Sequence, residues 1–177
     1  MQNNPYQPPR ANVEAVDNVA PTADRLIGIG GWLILVVIGL VVSPMRIAYM
    51  LITTHWPIFR DGAWDQLTTP GTSSYHVFWA PFLAFEIGGN ILSMALGLTT
   101  LFYLLRKSRN TPKLAILWYG WGAALVVIDS FAGNLIPAVA TQPDPASTKE
   151  LIRAFIVAAI WIPYFLVSKR VKATFVH

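Results

Sequence analysis

The chain has 177 residues, of which 54% are hydrophobic and only 12% charged, with a formal net charge of +4. Charge at about half the globular average of roughly 25% describes a small polytopic membrane protein rather than a soluble domain. Cysteine is absent, which excludes disulfide frameworks, thiol redox catalysis and Cys-ligated metals; the basic residues sit in short clusters beside apolar runs, a pattern that reports membrane orientation rather than nucleic-acid binding.

Residues 1–25 are rich in Asn, Gln and Pro and lack apolar periodicity, so they read as a disordered cytoplasmic tail. They have no basic start followed by a short apolar core, and the first apolar run is too long for a cleaved signal peptide. That run, about 27–52, is the first expected span. It opens with Gly28, Gly30, Gly31 and Trp32, the Trp suiting a headgroup-level anchor. Pro44 should kink or loosen the helix. Arg46 lies roughly 20 Å from Trp32 at about 1.5 Å per residue, in the outer part of the bilayer, where it can snorkel or pair with an acid on another helix.

Residues 53–75 read as a long loop. Trp56, Ile58, Phe59, Trp64 and Leu67 alternate there with Arg60, Asp61 and Asp65, which predicts a short amphipathic segment on the outer membrane surface, followed by a turn at Pro70–Gly71. Trp56 and Trp64 are its interfacial anchors. His55 and His76 flank the loop; with no third ligand at suitable spacing, they read as interfacial residues and not as a metal site.

The second span, 78–105, is FWAPFLAFEIGGNILSMALGLTTLFYLL, with Trp79 as an anchor and Glu86 as its only charge. Glu86, Gly89, Asn90, Ser93, Gly97 and Thr100 recur at three- and four-residue spacing and share one helical face. Small residues there admit a close neighbouring helix. Arg106, Lys107 and Arg109 end the span, and the short connection at Thr111–Pro112–Lys113 makes the next helix an antiparallel neighbour. The third span, 114–137, carries Trp118 and Trp121 as anchors at its start, Asp129 beyond its middle, then Ser130 and Asn134. After Gln142–Pro143–Asp144–Pro145, the Ser147–Thr148–Lys149–Glu150 spacing is that of a capping box. It opens the fourth span, 148–168, with Arg153 near its start. Residues 169–177 are a basic tail.

Lys and Arg set the orientation. Arg10, Arg25, Arg106, Lys107, Arg109, Lys113, Lys169, Arg170 and Lys172 fall on one side, against Arg46, Arg60, Lys149 and Arg153 on the other, so both termini are expected in the cytoplasm. This topology gathers Arg46, Glu86, Asp129 and Arg153 in the outer half of the bilayer, with Asn90 and Asn134 nearby. A lone charge in lipid costs at least about 2.5–3.5 kcal/mol, so Arg46 with Glu86 and Asp129 with Arg153 is the first pairing to expect, the swap being the alternative. Such a layer is either a salt-bridged plug that fixes helix register, a cavity that takes a proton, ion, lipid headgroup or small solute, or a seam for a protein partner.

Catalysis is disfavoured. No histidine falls inside the expected spans to serve a serine nucleophile or a haem, and two arginines beside Glu86 and Asp129 argue for ion pairs over an aspartyl dyad. The expected protein is all-α: a four-helix transmembrane bundle, without cofactor, metal or nucleic acid, whose partners are the lipid bilayer and another membrane protein or itself. Its expected role is that of a non-enzymatic accessory or scaffold protein, the alternative being a small transporter or a ligand- or lipid-binding protein that uses the charged layer. The segments GGWLILVVIGLVVSPMRI, DGAWDQLTTPGTSSYHVFWAPFLAFEIGGN and SKRVKATFV resemble the bacterial membrane-protein family called domain of unknown function 2569. The resemblance implies a four-helix protein of the bacterial inner membrane and brings no agreed activity, cofactor or catalytic residue.

Overall fold

The computed structural model describes residues 28–141 and 145–176; the expected N-terminal tail and the centre of the second loop lie outside them. The described residues form helices α1 (Trp32–Met50), α2 (Trp56–Arg60), α3 (Ala63–Thr68), α4 (Trp79–Leu105), α5 (Thr111–Gly133), α6 (Pro137–Ala140), α7 (Pro145–Val167) and α8 (Lys169–Thr174), with no strand among them. Four helical stretches are long and apolar enough to cross a membrane: Trp32–Arg60, Trp79–Leu105, Thr111–Gly133 and Ser147–Val167.

The first stretch is longer than the sequence suggests. A π-helical turn, Leu51–His55, joins α1 to α2 without a break, so residues 53–60 extend the span and do not begin a loop. Pro57 is the reason the extension is hard to foresee, since proline normally ends a helix for want of an N–H. Here it sits in the first turn of α2, directly after the wider i→i+5 turn in which Trp56 N–H reaches the Leu51 carbonyl, so the ladder is already re-registered. Gly62, at φ 76°, then turns the chain into α3, and the rings of Phe59 and Trp64 stack at 5.1 Å across that corner.

The four long helices pack as a row: α1 on α4, α4 on α5, α5 on α7. Leu33, Val36, Leu40 and Pro44 form the buried stripe of α1, while Ile34, Leu35, Ile38 and Val42 on its other faces are exposed yet apolar, as lipid contact requires. On α4 the buried stripe is Gly89, Ser93, Gly97, Thr100 and Leu104, the small and polar face legible in the sequence. Its smallness lets α5 approach closely. Trp118, 8% exposed, donates its indole N–H to the Ser93 carbonyl at 3.1 Å, and Trp121 donates to the Gly89 carbonyl at 3.2 Å. Both indoles thus face α4: an indole N–H withdrawn from solvent needs an acceptor, and the second lone pair of a helical carbonyl supplies it. Trp32 and Trp56 are exposed, and Trp64 and Trp79 half-buried.

A Cβ at Gly97 would lie 3.1 Å from Trp118 Nε1 and 3.6 Å from Pro44, whereas one at Gly88 would meet nothing within 4 Å. Gly97→Leu should therefore lower stability by about 1–3 kcal/mol through overpacking, and Gly88→Leu should change it little. Thermal unfolding in detergent compares the two.

The basic segment after the last span is structured. Ser168 caps α8 by accepting from Val171 N–H at 3.4 Å, and Val171, Thr174 and Phe175 are buried. Thr174 Oγ1 accepts from Gly28 N–H and donates to the Gly28 carbonyl, both at 3.2 Å, and Arg109 Nε donates to the Val176 carbonyl at 2.8 Å. The residues read as a basic tail thus tie the start of α1 to the α4–α5 connection.

Candidate functional site

The expected layer of four charges is present as two separate groups, and neither expected pair forms. In the first group His55, 3% exposed, places Nε2 3.1 Å from Glu86 Oε1, while its Nδ1 faces the Met50 carbonyl at 3.5 Å. His55 lies near the far end of the helical stretch Trp32–Arg60 and is buried within the protein against α4, and His76 lies outside the long helices, its ring accepting from Phe78 N–H at 3.4 Å. The helical register explains the partner. His55 falls three turns after Pro44, on the stripe of α1 that faces α4, whereas Arg46 is turned by roughly 200° from Pro44 at about 100° per residue. Glu86 on α4 meets the first and not the second.

Asp129 on α5 is within electrostatic reach of Glu86, His55 and Glu150, and its Oδ1 is buried without a hydrogen-bond partner among the described residues. It is not paired with Arg153. No grouping of three or more His, Asp or Glu able to hold a metal ion occurs among the described residues.

The second group surrounds a cavity of about 370 Å³, inside the range of roughly 300–1,000 Å³ in which small-molecule sites fall. Its walls are α1 (Leu35, Gly39, Val42, Ser43, Arg46, Ile47) and α7 (Glu150, Arg153, Ala154, Val157, Trp161). Its floor is Asn90 and Ser93 of α4 with Trp118, Tyr119, Gly122, Ala123, Leu125 and Val126 of α5. The arrangement follows from the row: α1 and α7 are its two outer members, each packed on its inner neighbour and not along its length on the other. What remains between them is a crevice. At one end Trp32 meets Trp161 edge-on at 6.2 Å, with Tyr119 stacked on Trp161 at 6.1 Å. Toward the other end Arg46 reaches across from α1 to Glu150 of α7 at 3.0 Å, with side chains 61% and 53% exposed. A Cβ at Gly39 or Gly122 would meet nothing within 4 Å, so both glycines leave the crevice wide.

Of the expected polar residues, Arg46, Asn90 and Arg153 line this crevice. Glu86 and Asp129 belong to the buried group. Asn134, exposed at the end of α5, donates to the Ser130 carbonyl of its own helix at 2.7 Å and joins neither group among the described residues. Asn90 links the two, since it lines the crevice while its amide donates to the Glu86 carbonyl at 2.8 Å. Arg153 has no ion-pair partner among the described residues, so the crevice carries two guanidinium groups and one carboxylate. On the far side of the π turn, Arg60 is engaged by Asp61 at 2.7 Å, and that hydrogen bond holds the Asp61 carboxyl below its ordinary range.

Sequence reasoning missed His55, Glu150, Tyr119 and Trp161. The three-turn spacing from Pro44 was the available signal for His55. Glu150 reads as the closing residue of a capping box, but α7 already begins at Pro145, which frees its carboxylate for Arg46.

No curated protein and no solved structure matches the chain. A family profile described as "Protein of unknown function (DUF2569)" matches residues 26–176. That interval takes in all four long helices, both charged groups and the whole crevice, and the chain belongs to the DUF2569 family.

Proposed function

We propose that this is a non-catalytic protein of the bacterial inner membrane, with both termini in the cytoplasm, that holds an amphiphilic molecule from the bilayer in the crevice between α1 and α7. The observation that carries the proposal is the crevice itself: an apolar cleft between the two outer helices, with Arg46, Glu150 and Arg153 gathered toward one end. Intramembrane charges mark functional sites more often than they serve as packing. A sealed plug would neutralise and bury its charges, whereas Arg46 and Glu150 remain more than half exposed along a cavity. This favours the ligand-binding reading over a scaffold held by a salt-bridged core.

The distribution of Lys and Arg supports the threading, with the Arg106–Lys113 connection and α8 inside and the α2–α3 segment outside. The exposed Trp56 and Phe59, with Trp64 stacked on the latter, suit the outer interface. Topology reporters fused near Arg109 and after His177 should score cytoplasmic, and one near Pro70 periplasmic. A periplasmic C-terminus would reverse the crevice within the membrane. For the function, protein purified gently from its native membranes should carry an amphiphile at close to one per chain by native mass spectrometry. Chains uniformly free of any bound lipid or small molecule would contradict it.

A further inference from the structure

We infer that the occupant of the crevice is one chain of an anionic phospholipid, its phosphate held by Arg153 and Arg46. The inference rests on the crevice being a binding site and names what it binds.

Charge comes first. Arg46 is shared with Glu150 at 3.0 Å, and Arg153 on the same face of α7, one turn on, has no ion-pair partner among the described residues. The crevice therefore holds a surplus positive charge with its guanidinium donors unspent. A guanidinium presents a planar fork that matches phosphate oxygens two at a time. An arriving phosphate can take Arg153 outright and compete with Glu150 for Arg46.

Beside the polar Ser43, Asn90, Ser93 and Tyr119, the lining carries enough apolar side chains to favour an amphiphile over a small soluble anion. Val42 and Val157 lie one turn from Arg46 and Arg153, and Leu35 and Trp161 two to three turns from them along the same faces, a run that suits an acyl chain below the headgroup. Entry is from the side. The faces of α1 and α7 flanking the opening, Ile34, Ile38, Ile156 and Ile160 among them, are exposed and apolar, so the crevice is reached through hydrocarbon. A molecule already lying in the leaflet, headgroup outward and chain inward, matches that order of polar and apolar groups.

The test uses the full chain in detergent, titrated by native mass spectrometry with phosphatidylglycerol, with phosphatidylethanolamine and with inorganic phosphate. Phosphatidylglycerol should bind at least about tenfold more tightly than phosphatidylethanolamine, because both bring the phosphate to the guanidinium groups but only phosphatidylethanolamine offsets it with an ammonium of its own. Arg153→Gln should weaken both lipids, phosphatidylglycerol the more, so that the preference is lost, and Arg153→Lys should retain part of it. Gly122→Phe, and independently Gly39→Phe, should fill the crevice and abolish binding of both lipids; their melting curves establish that each variant folds. Equal affinity for the two lipids, or a preference that survives Arg153→Gln, would overturn the anionic assignment while leaving the crevice as a site. Competition by millimolar inorganic phosphate would overturn the lipid in favour of a soluble anion. Undiminished lipid binding in both folded filling variants would overturn the crevice reading itself.

Discussion

Replacing Glu86 by leucine should destabilise the protein by about 1–3 kcal/mol, the cost of leaving a buried polar partner unsatisfied, and replacing His55 by leucine as well should restore most of that loss. The partner left behind is His55, 3% exposed on the stripe of α1 that packs on α4. A stranded arginine would cost more, roughly 3–5 kcal/mol, because a guanidinium cannot shed its proton; an imidazole can, so the lower range applies. Two apolar side chains in place of a buried polar pair are often nearly neutral. Arg46→Leu supplies the control. Combined with Glu86→Leu it should give no recovery, because Arg46 is engaged by Glu150. Thermal unfolding of the single and double variants in one detergent reads all of this, and rescue by Arg46→Leu in place of His55→Leu would contradict the observed pairing.

The contrast between Arg46 and His55 marks where the sequence stops being informative. Depth in the bilayer can be counted from an end of a span, and on that count the four charges are expected in one half of the bilayer. Which of them touch depends on lateral order and on rotation about each axis. Neither the row α1–α4–α5–α7 nor the gap between its ends has a signature in hydropathy. Short connections make α4 and α5 neighbours, but nothing in the chain says that α1 and α7 stay apart. The polar stripe of α4 was legible because its period is that of a helix and its small residues have one common use. Its partner was less so. Trp118 and Trp121 fit the rule that aromatic residues sit at membrane interfaces, yet an indole N–H is equally served by a helical carbonyl when glycine and serine let the two helices close up.

The first helix taught a related lesson. Thr53, Thr54 and Pro57 together look like the end of a span, and a π-helical turn carries the chain through all three. That turn keeps His55 inside the protein and within reach of Glu86. Turns of this kind recur at functional sites, and here one carries the first long helix on through α2.

Locking α1 to α7 is the most direct test of the account, because the ligand enters between the two outer helices. The chain has no cysteine, so Arg46→Cys with Glu150→Cys places two unique thiols where the two helices are bridged. The same double variant, with and without a short bifunctional thiol cross-linker, keeps the loss of the ion pair constant and changes only the tether. Cross-linking before exposure to phospholipid should lower bound lipid by about an order of magnitude or more, roughly 1.4 kcal/mol or greater. Cross-linking after loading should trap the lipid through delipidating washes that strip the untethered protein. Equal uptake and equal release in tethered and untethered protein would contradict a crevice that exchanges with the bilayer.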